Sequence, residues 1–258
     1  MTAAPLKDRL SNLLTRYTPI NWVHSHADRP NASITFDDFP KSAWTVGGLL
    51  LARYGAKATY YAAGRFCGQT ESGITYFDAD DLRAVVRAGH EIGSHSYAHI
   101  KVSTVENDAL RDDAARNDTF IREIVGDTPL CSYAYPFGDC SPRTKVVMGR
   151  RYASARGIRP GINSSMLDLA QLRAIPIECR YWNWLPDKID ALIEGAKVKN
   201  GWLIFFTHDV SDQPTPYGCT PSMLEHVLKR LRDEGIDILP VKHAMAQAMF
   251  GMRRSVAS

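Results

Sequence analysis

The chain has 258 residues, 45% hydrophobic and 23% charged, enough for one large α/β domain with a buried core. Its net charge of +3 is too small to argue for nucleic acid or a membrane surface as partner. No run of eighteen apolar residues is present, so no transmembrane helix is expected.

Residues 1–31 read as an amphipathic lead-in and linker. Lys7, Asp8, Arg9 and Arg16 break it up, and it lacks the apolar centre of a secretory signal. The five cysteines, Cys67, Cys131, Cys140, Cys179 and Cys219, are odd in number and include no Cys-x-x-Cys. Free thiols in a reducing cytoplasm are therefore expected. His24 and His26 read as ordinary polar residues ahead of the first strand, with metal ligation as the minor alternative.

The domain proper is expected over 32–258. Ile34–Phe36 reads as a buried strand ending in Asp37-Asp38. A helix follows over Ala43–Tyr54, stopped by Gly55. Thr59–Ala62 is a strand and Asp80–Ala88 a helix closed by Gly89. Ile92–Ser94 is a strand that delivers His95. A long helix over Val105–Val125 leads to a strand at Ser132–Tyr135 and the turn Pro136-Phe137-Gly138. After a short helix, Arg143–Arg150, comes a weak strand at Tyr152–Ala155 and a Gly/Pro/Asn-rich loop from Arg156 to Ser165. Ile175–Ile177 is strand-like, Asp187–Lys199 a helix, and Trp202–Thr207 the clearest strand, delivering His208-Asp209. Helix Ser222–Glu234, strand Ile236–Leu239 and helix Val241–Phe250 complete the chain. Units of about 30 residues that alternate strand and helix predict parallel βαβ packing. Seven or eight strands in a distorted (β/α) barrel fit best, with a doubly wound sheet as the alternative. No Gly-x-Gly-x-x-Gly or phosphate loop supports nucleotide binding.

The stretch Glu91–His99 organises the functional reading. His95 and His99 stand four apart, and on a helical turn they would share one face. Two imidazoles on one face can hold a transition metal, with a third ligand from the strand-end pair Asp37-Asp38.

Three strand ends now carry reactive residues: Asp37-Asp38, His95/His99 and His208-Asp209. In this order they resemble the polysaccharide deacetylase family, carbohydrate esterases of family four. Thr35-Phe36-Asp37-Asp38 is similar to the family's first motif and His95-Ser96-Tyr97-Ala98-His99 to its second. Pro136-Phe137-Gly138 is similar to the end of the third and Phe206-Thr207-His208 to the fifth. The resemblance runs from Ser33 to Leu239.

It implies a distorted (β/α) barrel and metal-dependent removal of N- or O-acetyl groups from sugars. By position, Asp38, His95 and His99 would bind a divalent metal, Zn²⁺ first, with Co²⁺, Ni²⁺ or Mn²⁺ as alternatives. Asp37 would be the general base, His208 the general acid, and the Phe137 N–H a donor to the developing oxyanion. Such chemistry needs a base beside the attacking water and an acid beside the leaving amine.

Two positions depart from the pattern. Ala134 stands where the third motif carries an arginine. The fourth motif, Asp-x-x-Asp-Trp, aligns with Arg180-Tyr181-Trp182-Asn183-Trp184, where only Trp184 survives. One expectation is that the Arg180 guanidinium reaches Asp37 from the opposite loop. The other is that Arg180 stacks on Tyr181 or Trp182 at the surface. Tyr135, Trp184 and Arg180 are expected to contact substrate, within a set of aromatics at the mouth that includes Tyr97, Phe137, Tyr181, Trp182 and Tyr217; core packing is expected for about half of these aromatics. The expected substrate is an acetylated sugar or glycan precursor in surface-glycan biosynthesis. The alternatives are a deformylase or cyclic-amide hydrolase, and a non-catalytic sugar-binding protein.

Overall fold

A computed structural model describes residues 15, 17, 18, 20–183 and 185–251. Most of the lead-in segment and Trp184 lie outside the described residues. The strands are β1 (Trp22–His24), β2 (Asn31–Phe36), β3 (Thr59–Ala62), β4 (Thr70–Glu71), β5 (Ile74–Thr75), β6 (Glu91–Ser94), β7 (Ser132–Ala134), β8 (Ser154–Arg156), β9 (Met166–Asp168), β10 (Ile175–Pro176), β11 (Trp202–Thr207) and β12 (Asp237–Ile238). The helices are α1 (Leu49–Arg53), α2 (Ala79–Arg87), α3 (Asn107–Val125), α4 (Pro142–Arg151), α5 (Pro186–Lys199), α6 (Pro221–Asp233) and α7 (Val241–Phe250).

The main sheet runs β10-β11-β2-β3-β6-β7-β8, parallel throughout, with β12 beside the N-terminal half of β2. It curls into a half-barrel, the distorted (β/α) barrel that the alternation of elements predicts. Its edges, β10 and β8, are not paired with each other; a single bridge, Arg156 to Leu172, lies in the region between them.

Parallel strands covered on both faces have no polar side to spare. Every residue of β2 and β11 is accordingly buried. Alternation sorts them: Leu203 and Phe205 join Ile34 and Phe36 in a core shared with Ile189, Ile193 and Leu224 of the flanking helices. Trp202, Ile204 and Phe206 point the other way, onto Val241, Ala244 and Ala248 of α7. Polar residues in these strands are paired: Ser33 accepts the Trp202 indole N–H at 3.0 Å, and the Thr35 hydroxyl donates to the Phe205 carbonyl at 3.0 Å. At the other strand ends, Glu91 accepts from Thr59 Oγ1 (2.8 Å), Ser132 Oγ (2.7 Å) and the Lys242 N–H (2.9 Å). That carboxylate ties three strands to the first turn of α7.

Three local readings change. The helix expected over Ala43–Tyr54 opens as a π-helical stretch, Ala43–Gly48, before α1. A Cβ on Gly48 would lie 2.5 Å from the Trp44 ring, so the glycine makes room for an indole folded back over the wider turn. The lead-in contains β1, and β9 follows the Gly/Pro-rich loop; the two pair antiparallel. Three-residue strands give too little alternation to stand out in a sequence.

His90, just before β6, accepts the Ala58 N–H on Nδ1 at 3.0 Å and packs edge-on to Trp44 and Tyr60. Burial, with Lys57 nearby, pushes its pKa down to about 4. The folded state therefore resists protonation of this ring. Its contribution to stability is present above the ordinary histidine value of about 6.5 and is lost as pH falls toward about 4. Urea unfolding across that window should show the decline. His90→Asn, which keeps an acceptor without the titration, should flatten it; an unchanged slope in the variant would assign the decline to other groups.

Candidate active site

The first carboxylates leave β2 together and then part. Asp37 stays in register, its N–H donating to the Thr207 carbonyl at 2.9 Å. Asp38 and Phe39 take φ of 61° and 53°, a left-handed turn that non-glycine residues rarely adopt. The turn sends neighbouring side chains to different tasks.

Asp38 goes to the histidines. Its Oδ1 lies 3.3 Å from His95 Nε2 and 3.1 Å from His99 Nε2. One ligand atom from each of the three residues falls within 4.8 Å of the others. His24 and His26 are not part of this group. His95 Nδ1 sits 2.8 Å from the Ala134 carbonyl. A carbonyl only accepts, so Nδ1 carries a proton and Nε2 is the nitrogen turned toward Asp38. Asp38 Oδ1 is buried and accepts no well-formed hydrogen bond. Burial would raise the Asp38 pKa, yet the two imidazoles hold it well below the usual carboxylate range. For His95, burial would lower the pKa, but the Asp38 carboxylate raises it on balance. Two imidazole nitrogens and a carboxylate oxygen facing one small space fit a divalent cation with open positions.

The two imidazoles do not converge on a helical turn, as the four-residue spacing led us to expect. Residues 95–99 form a loop with Ser96 at φ 66° and His99 at φ 50°. Asp113 of α3 pins that loop: it accepts from the Ser96 hydroxyl, the Tyr97 N–H (2.8 Å) and the Ala98 N–H (2.9 Å). A carboxylate with three donors in one loop substitutes for helical hydrogen bonds.

Asp37 goes to Arg156. The guanidinium Nη2 donates to Asp37 Oδ1, with Arg156 1% exposed. The rest of the guanidinium lies 4.8 Å from the Tyr61 ring centre and 5.1 Å from that of Phe206. Tyr61 can lie there because its neighbour on β6 is Gly93, where a Cβ would meet its ring at 2.4 Å. Ala134 and Arg156 are register partners on β7 and β8. The arginine absent from position 134 thus arrives from the adjacent strand. Of the two expectations for Arg180, contact with Asp37 is overturned and stacking on Tyr181 holds: its Nε bonds Glu178 and its guanidinium covers Tyr181 (4.8 Å) and Tyr217 (4.2 Å).

His208 follows Thr207, the register partner of Phe36, so His208 and Asp37 leave adjacent strands side by side. His208 Nδ1 donates to the Tyr217 carbonyl at 3.2 Å, and the Asp209 carboxylate holds that loop through Thr215. Glu178, 1% exposed, has one oxygen buried without a partner. Burial raises its pKa, while Arg180 and the field of His208 pull it back.

Phe137 stands beside the cluster, its ring centre 4.5 Å from that of His99 and its side chain 64% exposed. Its φ of 60° makes the turn. The Tyr135 side chain is not available to substrate: it is buried, with its hydroxyl on the Ala170 carbonyl. Tyr97 lies under the Arg116 guanidinium at 3.7 Å. Tyr181 and Tyr217 remain exposed.

Arg156, Asp113 and Glu178 escaped the sequence reading. Arg156 carried the same signal as Asp37 and His95, a charged residue closing an apolar run, but its strand was the weakest of the set. Glu178 lies two residues before the stretch aligned to the fourth motif. Asp113 gave no signal, being one of several acids on an exposed-looking helix.

Comparison with known proteins follows the same lines. Residues 24–156, just over half of the chain, match the family model described as polysaccharide deacetylase. A chitin deacetylase from Pestalotiopsis sp is 30% identical over 133 residues, 50% of this chain and 40% of that relative's length. The family-four esterase domain of a multidomain xylanase from the hindgut metagenome of Trinervitermes trinervoides superposes with a TM-score of 0.60 at 18% identity, over 89% of this chain and 95% of that one. A family-four acetyl xylan esterase from Clostridium thermocellum, in complex with a cobalt ion, gives 0.56 at 24% identity, over 83% and 90%. With its barrel, its Asp-His-His cluster and this match, the chain belongs to the polysaccharide deacetylase family.

Proposed function

We propose that this chain is a divalent-metal-dependent hydrolase that removes an acetyl group from the nitrogen or oxygen of a sugar in a glycan precursor, in surface-glycan biosynthesis. The observation that carries the reading is the three-residue cluster beside an arginine-clamped carboxylate at paired strand ends. The substrate named for the Pestalotiopsis relative supports an acetylated glycan, and the cobalt of the Clostridium esterase supports a divalent ion. Zn²⁺ is our first choice because the donor set is nitrogen-rich.

Asp38, His95 and His99 would hold the ion. When bound, it would polarise the acetyl carbonyl and make water acidic enough to attack near neutral pH. Asp37 takes the proton of the attacking water. Arg156 fixes one rotamer and one oxygen of that carboxylate, leaving the other free for the proton. The Phe137 N–H donates to the carbonyl oxygen as charge builds on it. His208 gives a proton to the leaving amine or alkoxide, its Nδ1 occupied by Tyr217 so that Nε2 faces the substrate. Tyr181 and Tyr217, braced by Arg180, offer flat rings to a sugar face.

Three outcomes test this. His95→Ala, purified without added metal, should lose bound metal by elemental analysis and acetate release together; full metal content would remove the cluster from the mechanism. Asp37→Asn keeps shape without basicity and should retain metal while turnover on N-acetylated oligosaccharides falls by about 10²-fold or more. Arg156→Ala leaves a buried carboxylate uncompensated and should destabilise the fold by about 3–5 kcal/mol in urea as well as slow turnover. Restoring an arginine across the register, in Ala134→Arg with Arg156→Ala, should recover much of both. A double variant no better than the single would mean that the clamp works only from β8.

A further inference from the structure

We infer that the substrate's sugar is joined through an anionic phosphodiester to an apolar tail, and that linker and tail lie in a cleft leading away from Phe137. The inference rests on the deacetylase reading for the sugar end alone. The cleft has a volume of about 1020 Å³. Pockets that hold drug-sized ligands run to about 300–1,000 Å³, so this one exceeds the need of a single acetylated hexose. Phe137 and Gly138 line it, and the Phe137 ring lies 4.5 Å from that of His99, which sets the cleft beside the proposed active site.

Its walls carry polar and apolar surface in about equal measure, and the apolar part is concentrated in large side chains. Of the ten large hydrophobic side chains exposed among the described residues, five line this cleft: Tyr17, Trp22, Phe137, Ile158 and Met166. Exposed apolar patches rimmed by polar groups mark ligand grooves more often than chance decoration. Ile158 packs where a Cβ on Gly138 would stand, so the wall runs unbroken from the catalytic turn. Trp22 and Met166 come from the β1–β9 ribbon at the far end.

The charge in the cleft is net positive: Lys101, Arg159 and Arg173 line it against Asp139 and Asp168. Neither Lys101 nor Arg173 has a carboxylate partner among the described residues. Of the two acids, Asp168 is paired with Lys145, while Asp139 accepts the Ser103 N–H at 2.7 Å and keeps its charge, so the cations outnumber the anions. A neutral polysaccharide would leave the excess positive charge of the cleft unmatched. A phosphodiester matches it, and an alkyl or isoprenoid tail covers the apolar wall.

Decyl phosphate is the probe for the cleft, titrated calorimetrically into the full chain below its micellar concentration. Saturable binding is expected, weakened about tenfold by Lys101→Ala or Arg173→Ala, the scale of a lost charged hydrogen bond. Met166→Asp should weaken it as well. All three positions are exposed or half-exposed, so the variants should fold. Absent binding, or equal binding in every variant, overturns the inference. A second arm compares acetate release from decyl-phospho-N-acetylglucosamine and from octyl N-acetylglucosaminide. The phosphodiester should have the higher kcat/KM, and the ratio should fall about tenfold in Arg173→Ala. A ratio near one, unchanged by the variant, also overturns it. If decyl phosphate binds as expected and neither sugar releases acetate, the cleft stands and the deacetylase reading falls.

Discussion

A guanidinium and a carboxylate meet inside the barrel with little water around either, and the site is arranged about that contact. Desolvating two charges costs several kcal/mol for each, and their attraction repays it only when the geometry is good. Here Tyr61 and Phe206 shape the slot for the planar guanidinium, Gly93 leaves room for Tyr61, and the main-chain bond from Asp37 to Thr207 fixes the acceptor. An apolar pair of similar volume would hold the fold as well. The gain from the ion pair is orientation, a carboxylate with a single direction in which to work.

The Asp38 cluster follows the opposite logic. Its three groups approach closely without satisfying one another, and the shortfall is what leaves room for a cation. Order is imposed from behind: the Ala134 carbonyl sets the His95 tautomer, and Asp113 holds the loop that carries His99 into place. Ala134 of β7 therefore orients His95 with its backbone, while the arginine that could have stood there comes from β8.

Much of this was legible in the residues. Thr59–Ala62, Trp202–Thr207 and Val241–Phe250 fall where composition and spacing place them, because long apolar runs between glycines and prolines have few other uses. Asp37, Asp38, His95, His99 and His208 arrive at neighbouring strand ends for the same reason: parallel strands deliver their C-terminal residues to one rim. What was hidden is of two kinds. The short strands β1 and β9 owe their existence to partners far along the chain, and Arg156 falls one residue past the weak strand expected at Tyr152–Ala155. The conformation of 95–99 depends on a carboxylate from α3, and local spacing alone suggested a helix there. Motif alignment also placed Arg180 against Asp37, since an alignment reads position along the chain and not register across strands.

Arg156 is followed directly by Gly157 and Ile158, and both of these line the cleft. Arg156 Nη1 also bonds the Gly157 carbonyl at 3.3 Å. Three consecutive residues thus hold Asp37 on one side and line the cleft on the other. β8 pairs with β7 on one side, and on the other its Ala155 and the following Gly157 bond the backbone of Leu169 and Leu172, so the segment is held from both flanks. Whatever fills the cleft leans on the segment that aims Asp37, and a filled cleft should stiffen that aim. Binding in the cleft would then be felt at Asp37 as well as in affinity, through a backbone link only two peptide bonds long.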